Sequence, residues 1–100
     1  MFVISITYTK SASEIDALLT AHKQFLNEHY AEGVFLMSGR KVPRGGGIII
    51  ADANDRAEVE AIIETDPFYI GGVAEYEITE FVPSMTAEAL SVFRHISERN

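Results

Sequence analysis

The sequence predicts an α+β fold of the ferredoxin-like type: a β-α-β-β-α-β order with an antiparallel sheet, followed by a C-terminal helix. Three observations lead there. Apolar residues alternate with a period of two at residues 2–9 and 73–82. Two stretches with helix-start chemistry carry apolar stripes at helical spacing. Between them, two short apolar runs flank a turn rich in Gly and Pro. The chain has 100 residues, 47% hydrophobic and 23% charged, with no cysteine. That suits a single small core, so one domain over residues 1–100 is expected, with a body at 1–83 and a helical tail at 84–100.

The first strand, residues 2–9, sets Phe2, Ile4, Ile6 and Tyr8 on one face and Val3, Ser5, Thr7 and Thr9 on the other. Ser11-Ala12-Ser13-Glu14 then reads as a capping box: the Ser11 hydroxyl takes an orphan amide while Glu14 reaches back. The helix it opens is expected over residues 12–32, with Ile15, Leu18, Leu19, Phe25 and Leu26 inward and Gly33 as its stop. Residues 34–37 and 47–51 are apolar on both faces and read as a hairpin whose faces are both covered. Asp55 to Glu58 repeats the capping logic and opens a second helix with Val59, Ile62 and Ile63 inward, stopped by Pro67. Residues 73–82 form the last strand, with Ala74, Tyr76, Ile78 and Val82 on one face. In the tail, Thr86 is the expected N-cap of a helix carrying Leu90, Phe93 and Ile96.

Both long helices cover one face of such a sheet. The other face, apolar in its middle strands, needs a cover, and a second copy of the chain supplies the simplest one. A homodimer is therefore expected.

Net charge is −7, which argues against a general nucleic-acid-binding surface. Residues 1–50 carry +1 and residues 51–100 carry −8, yet Arg40, Lys41 and Arg44 cluster in one turn. The cluster reads either as a solvated turn or as the place where a small anionic ligand is attracted. The first ten residues lack a basic n-region and a small-residue cleavage site, and no apolar run approaches the ~20 residues of a membrane span. With the absence of cysteine, these features favour a cytoplasmic protein and no membrane partner.

His22 stands in the middle of the inward stripe of the first helix, where the pattern wants Leu or Ile. A buried imidazole needs a hydrogen-bond partner. Asp66 extends the inner stripe of the second helix, and at that helix's C-terminal end a carboxylate is poorly placed against the macrodipole. Both helices pack on one sheet face, so His22 and Asp66 are expected to converge. An imidazole oriented by a carboxylate is equipment for proton transfer near neutral pH. Each residue also has a plainer reading: His22 as a satisfied core histidine, and Asp66 as a helix-ending Asp-Pro turn.

The combination of His22, Ser38-Gly39, a Gly-rich entry to the third strand, Asp66-Pro67-Phe68 and Gly72-Val73 resembles the YCII-related (YciI-like) proteins. The resemblance spans residues 1–83. It implies a fold similar to muconolactone isomerase, in which ferredoxin-like units pair into a dimeric α+β barrel. It implies that His22 and Asp66 are the catalytic pair and that Ser38 is a pocket serine. One characterised type of the family removes chloride from a chlorinated hydroxymuconate. Arg40 stands where many members have Pro, and Gly71 where many have Ala. Both departures touch residues expected at the pocket rim, so no substrate is carried over.

Other candidates are weaker. His22 and His29 lie about 10 Å apart along a helix, too far to chelate one ion, and His95 is in the tail. No metal site and no cofactor are expected. Gly45-Gly46-Gly47 lacks the remainder of a phosphate-binding loop. Tyr8, Tyr69 and Tyr76 are expected in the core or at a pocket rim. The expected function is that of a small-molecule enzyme, an isomerase or lyase of dehydrochlorinase-like type, acting on a small anionic substrate. His22, oriented by Asp66, would move a proton. Ser38 and Phe68 would bind the substrate, and Arg40 or Arg44 would attract its carboxylate. The alternative is a non-catalytic ligand-binding or accessory dimeric domain that keeps the pair for structure.

Overall fold

The computed structural model describes residues 1–95. The elements run β1 (Phe2–Tyr8), α1 (Ala12–Ala31), β2 (Phe35–Arg40), β3 (Gly46–Ala51), α2 (Arg56–Ile63), a one-turn helix α3 (Pro67–Ile70) and β4 (Ala74–Glu80), then a 3₁₀ helix at Glu88–Phe93. The strands form one antiparallel sheet in the order β2-β3-β1-β4. This is the expected α+β fold, with β1 and β3 central.

Helix α1 starts as expected. Ser11 Oγ accepts the Glu14 amide, and Glu14 Oε2 accepts the Ser11 amide at 3.1 Å. At α2 the arrangement is looser. Asp55 caps the Glu58 amide at 2.9 Å, but Glu58 reaches the amide of Asn54 rather than that of the cap itself. The helix-facing side of the sheet buries Phe2, Ile4 and Ile6 from β1 with Ile49 and Ala51 from β3, against Phe25 of α1 and Val59 and Ile63 of α2. A second cluster, Ile15, Phe68 and Val73, seals α1 against α3.

Several boundaries differ from the sequence expectation. Strand β2 continues through Ser38-Gly39 to Arg40, because backbone pairing with Ile49, Ile48 and Gly47 extends the ladder past the apolar run. Helix α2 ends at Ile63, before Pro67, which instead supplies the first residue of α3. The tail is 3₁₀ where a helix capped by Thr86 was expected: Ala87 holds the cap position and no side chain caps it. Ile96 of the expected tail stripe lies outside the described residues.

The outer face of the sheet is mixed. Thr79, Glu75 and Glu77 of β4 are exposed on it, while Ile48 and Ile50 of β3 are half-buried and Met37 of β2 is 55% exposed. Met85, Leu90 and Phe93 from the tail border a groove of about 470 Å³ over Leu36, Met37 and Ile50. Among the described residues, no helix is long and apolar enough to cross a membrane.

Candidate active site

Helix α1 carries His22 inward, 8% exposed, over the helix-facing side of the sheet. Its Nδ1 meets Asp66 Oδ1 at 2.8 Å, and Asp66 has no exposed surface. The convergence expected from the two inner stripes is therefore present in the structure, but by a different local route. Asp66 does not end α2. It is the N-cap of α3, where Oδ1 also accepts the Phe68 amide at 3.0 Å. A carboxylate at a helix start is favourably placed, so the macrodipole conflict read from the sequence does not exist.

The carboxylate is held from both ends. Oδ2 accepts the Tyr76 hydroxyl at 2.5 Å. Burial, and next the hydrogen bond to Asp66, push the Tyr76 phenol far above its ordinary range, so it remains protonated. The imidazole itself lies parallel to the Phe68 ring, centroids 4.0 Å apart and planes 6° apart, and the Phe25 ring centroid is 5.9 Å from it. With Nδ1 committed to Asp66, Nε2 is the nitrogen left for the cavity that His22 lines.

That cavity, about 180 Å³, lies between α1 and the β1-β3-β2 edge of the sheet. His22, Ser38 and Arg40 all line it, with Ile6, Tyr8 and Leu19 among its apolar walls. Ser38 and Arg40 belong to the side of β2 that pairs with Ile49 and Gly47, which is the helix-facing side. Gly47 keeps the floor low. Gly46, with φ 156°, brings the backbone so close to Ile6 that an added Cβ would stand 1.8 Å from the Ile6 oxygen.

The other sequence-derived candidates are placed elsewhere. Arg44 is not among the residues lining the cavity. It pairs with Asp16 at 3.2 Å, and its guanidinium lies 5.8 Å from the Tyr8 ring centroid. Phe68 is 1% exposed and sits behind the imidazole rather than on the cavity wall. Gly71 also lies away from the cavity: a Cβ there would stand 2.6 Å from Leu18 Cδ1, so Leu18 occupies the space an alanine would need.

Three residues at the site carry no distinct motif in the sequence. Tyr76 reads there only as core or rim; its signal is a tyrosine rather than phenylalanine at an inward position of β4, since a buried phenol needs a partner. The Tyr30 hydroxyl hydrogen-bonds Ser38 Oγ, and Lys23 joins Arg40 among the cavity-lining residues. Neither had a signal that distinguished it from an ordinary helix-surface residue. Among the described residues, no group of His, Asp and Glu could hold a metal ion.

The model of the YCII-related domain matches residues 1–82. No curated protein matches the sequence. Among solved structures, the chain is similar to the 5-chloro-2-hydroxyhydroquinone dehydrochlorinase TftG of Burkholderia phenoliruptrix in complex with 2,5-dihydroxybenzoquinone. The two share 18% identity with a TM-score of 0.67, over 81% of this chain and 93% of the other. At that identity the likeness is one of fold.

Proposed function

We propose a function on the premise that this chain belongs to the family of YCII-related domains. The protein acts on a small, anionic, unsaturated or carbonyl-bearing molecule and moves a proton on it, as an isomerase or a lyase. The observation that supports this most is the buried His22–Asp66 pair at the edge of a cavity that also receives Ser38 and Arg40. Asp66 takes the Nδ1 proton side, so the Nε2 lone pair is free to abstract a proton from the ligand. The electrons of the broken C–H bond delocalise into the neighbouring carbonyl or alkene. In an elimination they become the new double bond as a leaving group departs from the adjacent carbon with its bonding pair and Nε2 keeps the proton; in an isomerisation the proton returns from Nε2 to another carbon of the delocalised anion and the double bond has moved. Ser38 offers a hydrogen bond, and the Arg40 and Lys23 side chains favour an anion. The dehydrochlorinase of similar fold is described with a quinone, which makes hydroxyquinones and unsaturated carboxylates the reasonable probes.

The protein is further proposed to be a homodimer. The exposed Met37 and the half-buried Ile48 and Ile50 on the outer face of β2 and β3 support this, and sedimentation at micromolar concentration checks it. A stable monomer of 11.1 kDa would refute it.

Proton transfer is tested by incubating the protein in D₂O with 2,5-dihydroxybenzoquinone and a panel of unsaturated carboxylates. Protein-dependent deuterium incorporation, lost in His22→Ala, is expected. Exchange that persists in His22→Ala would remove His22 as the base, and a panel that binds at the cavity with no exchange would leave a ligand-binding domain rather than an enzyme.

A further inference from the structure

Tyr76 is not on the cavity wall, yet it contacts the pair from behind. We infer that Tyr76 is a positioning residue for His22, acting through Asp66 to hold the imidazole with its proton on Nδ1 and its lone pair on Nε2. The inference rests on the proposed proton-transfer role of His22, and its test is built to be read without any ligand.

An aspartate that accepts on one oxygen alone can turn about its Cβ–Cγ bond. Here Oδ1 receives both His22 Nδ1 and the Phe68 amide, while Oδ2 receives the Tyr76 hydroxyl. Donors at both ends fix the plane of the carboxylate, and with it the direction from which Oδ1 meets the imidazole. Tyr76 is well suited to this task. It is paired with Ile6 of the central strand β1, so although β4 is an edge strand its backbone is held in the sheet ladder. The phenol, kept protonated by its surroundings, serves as a donor to Asp66 across the working range of pH. The carboxylate accordingly stays an acceptor toward Nδ1, and the histidine tautomer is set.

A purely structural tyrosine would alter melting temperature but not the state of the imidazole. The experiment therefore reads His22 directly, in protein labelled with ¹⁵N-histidine. In the wild type, a low-field Nδ1–H resonance and an unprotonated Nε2 are expected. In Tyr76→Phe, Nδ1–H exchange with solvent is expected to rise about tenfold, with the ¹⁵N shifts moving toward a mixture of tautomers. Should Tyr76→Phe fail to fold, 3-fluorotyrosine incorporated at position 76 keeps the hydroxyl and makes it a stronger donor, so the Nδ1–H resonance should move from its wild-type position. A folded Tyr76→Phe with a wild-type His22 signature overturns the inference. So does an unmoved resonance with 3-fluorotyrosine. Failure of the deuterium-exchange experiment leaves this readout untouched, and failure here leaves the proton-transfer proposal standing without Tyr76.

Discussion

Phe68 holds His22 in two ways at once. Its ring lies parallel to the imidazole at 4.0 Å, and its amide donates to the same Asp66 oxygen that meets Nδ1. The ring fixes the plane of the base while the backbone fixes the acceptor. Phe68→Ala should therefore do more than open a hole in the Ile15–Val73 cluster. A loss of about 3–5 kcal/mol in urea unfolding is expected for the cavity. Phe68→Leu, which keeps most of the volume, should cost less than about 1.5 kcal/mol yet leave the imidazole more mobile in side-chain relaxation measurements. A rigid His22 in Phe68→Leu would show that the stack is incidental.

Asp66 accepts from His22, Phe68 and Tyr76, and the carboxylate itself has no exposed surface. Asp66→Ala strands these donors, at about 1–3 kcal/mol for each one left unpaired. Asp66→Asn is expected to be milder. Its carbonyl oxygen can keep His22 and Phe68, and the Tyr76 hydroxyl can turn to accept from the new amide. Urea unfolding should rank Asp66→Ala well below Asp66→Asn. Equal stability of the two variants would mean that the bonds to Asp66 contribute little.

The fold was legible in the sequence because its signals are local. Ser11 and Glu14 mark the start of α1, and the alternation from Phe2 to Ile6 marks a central strand with one buried face. The meeting of His22 and Asp66 was legible because His22 interrupts the inward stripe of α1 and Asp66 falls three residues after Ile63, at the spacing of the next inward position, although α2 has ended before it. What failed was the chain between Ile63 and Ile70. Asp-Pro reads equally as a helix stop, and nothing in that spacing distinguishes the end of one helix from the N-cap of another one turn long. The role of Tyr76 rests on the long-range pairing of β4 with β1, and that of Tyr30 on how the end of α1 packs over β2, neither of which a single sequence specifies.

Tyr76 predicts an alkaline limit to stability. In the folded protein its phenol is raised well above its ordinary value of 10.0 by burial and by Asp66. Below pH 10 both folded and unfolded chains hold the proton, and the contribution of Tyr76 is complete. As pH rises past 10, the unfolded chain releases the proton while the folded chain retains it, so stability falls. The half-buried ring is partly screened by solvent, so its share of the slope is less than about 1.4 kcal/mol per pH unit. Urea midpoints at pH 9 and pH 11 should therefore converge more closely in Tyr76→Phe than in the wild type. Tyr8, Tyr30 and Tyr69 are common to both proteins and cancel in the comparison. An equal alkaline decline in the two would show that the phenol ionises no differently when folded.

Arg40 and Arg44 belong to one basic cluster in the sequence but to two environments in the structure. Arg40 lines the His22 cavity, whereas Arg44 is paired with Asp16 at 3.2 Å outside it. Only the first is placed to meet a ligand anion at short range. For 2,5-dihydroxybenzoquinone, anionic at neutral pH, Arg40→Gln should weaken binding about two- to fivefold at low salt, the range expected for an exposed charge pair. The loss is partial because Lys23 remains at the same cavity. It should shrink as salt rises, since screening removes what the substitution removed. Arg44→Gln should leave the affinity near wild type, its charge being largely offset by Asp16. Calorimetric titrations of the two variants at low and high salt separate the possibilities. Equal losses would assign the attraction to the field of the whole turn rather than to Arg40 at the cavity. No loss in either would make the cluster a solvated surface, with the ligand held by Ser38, His22 and the apolar walls alone.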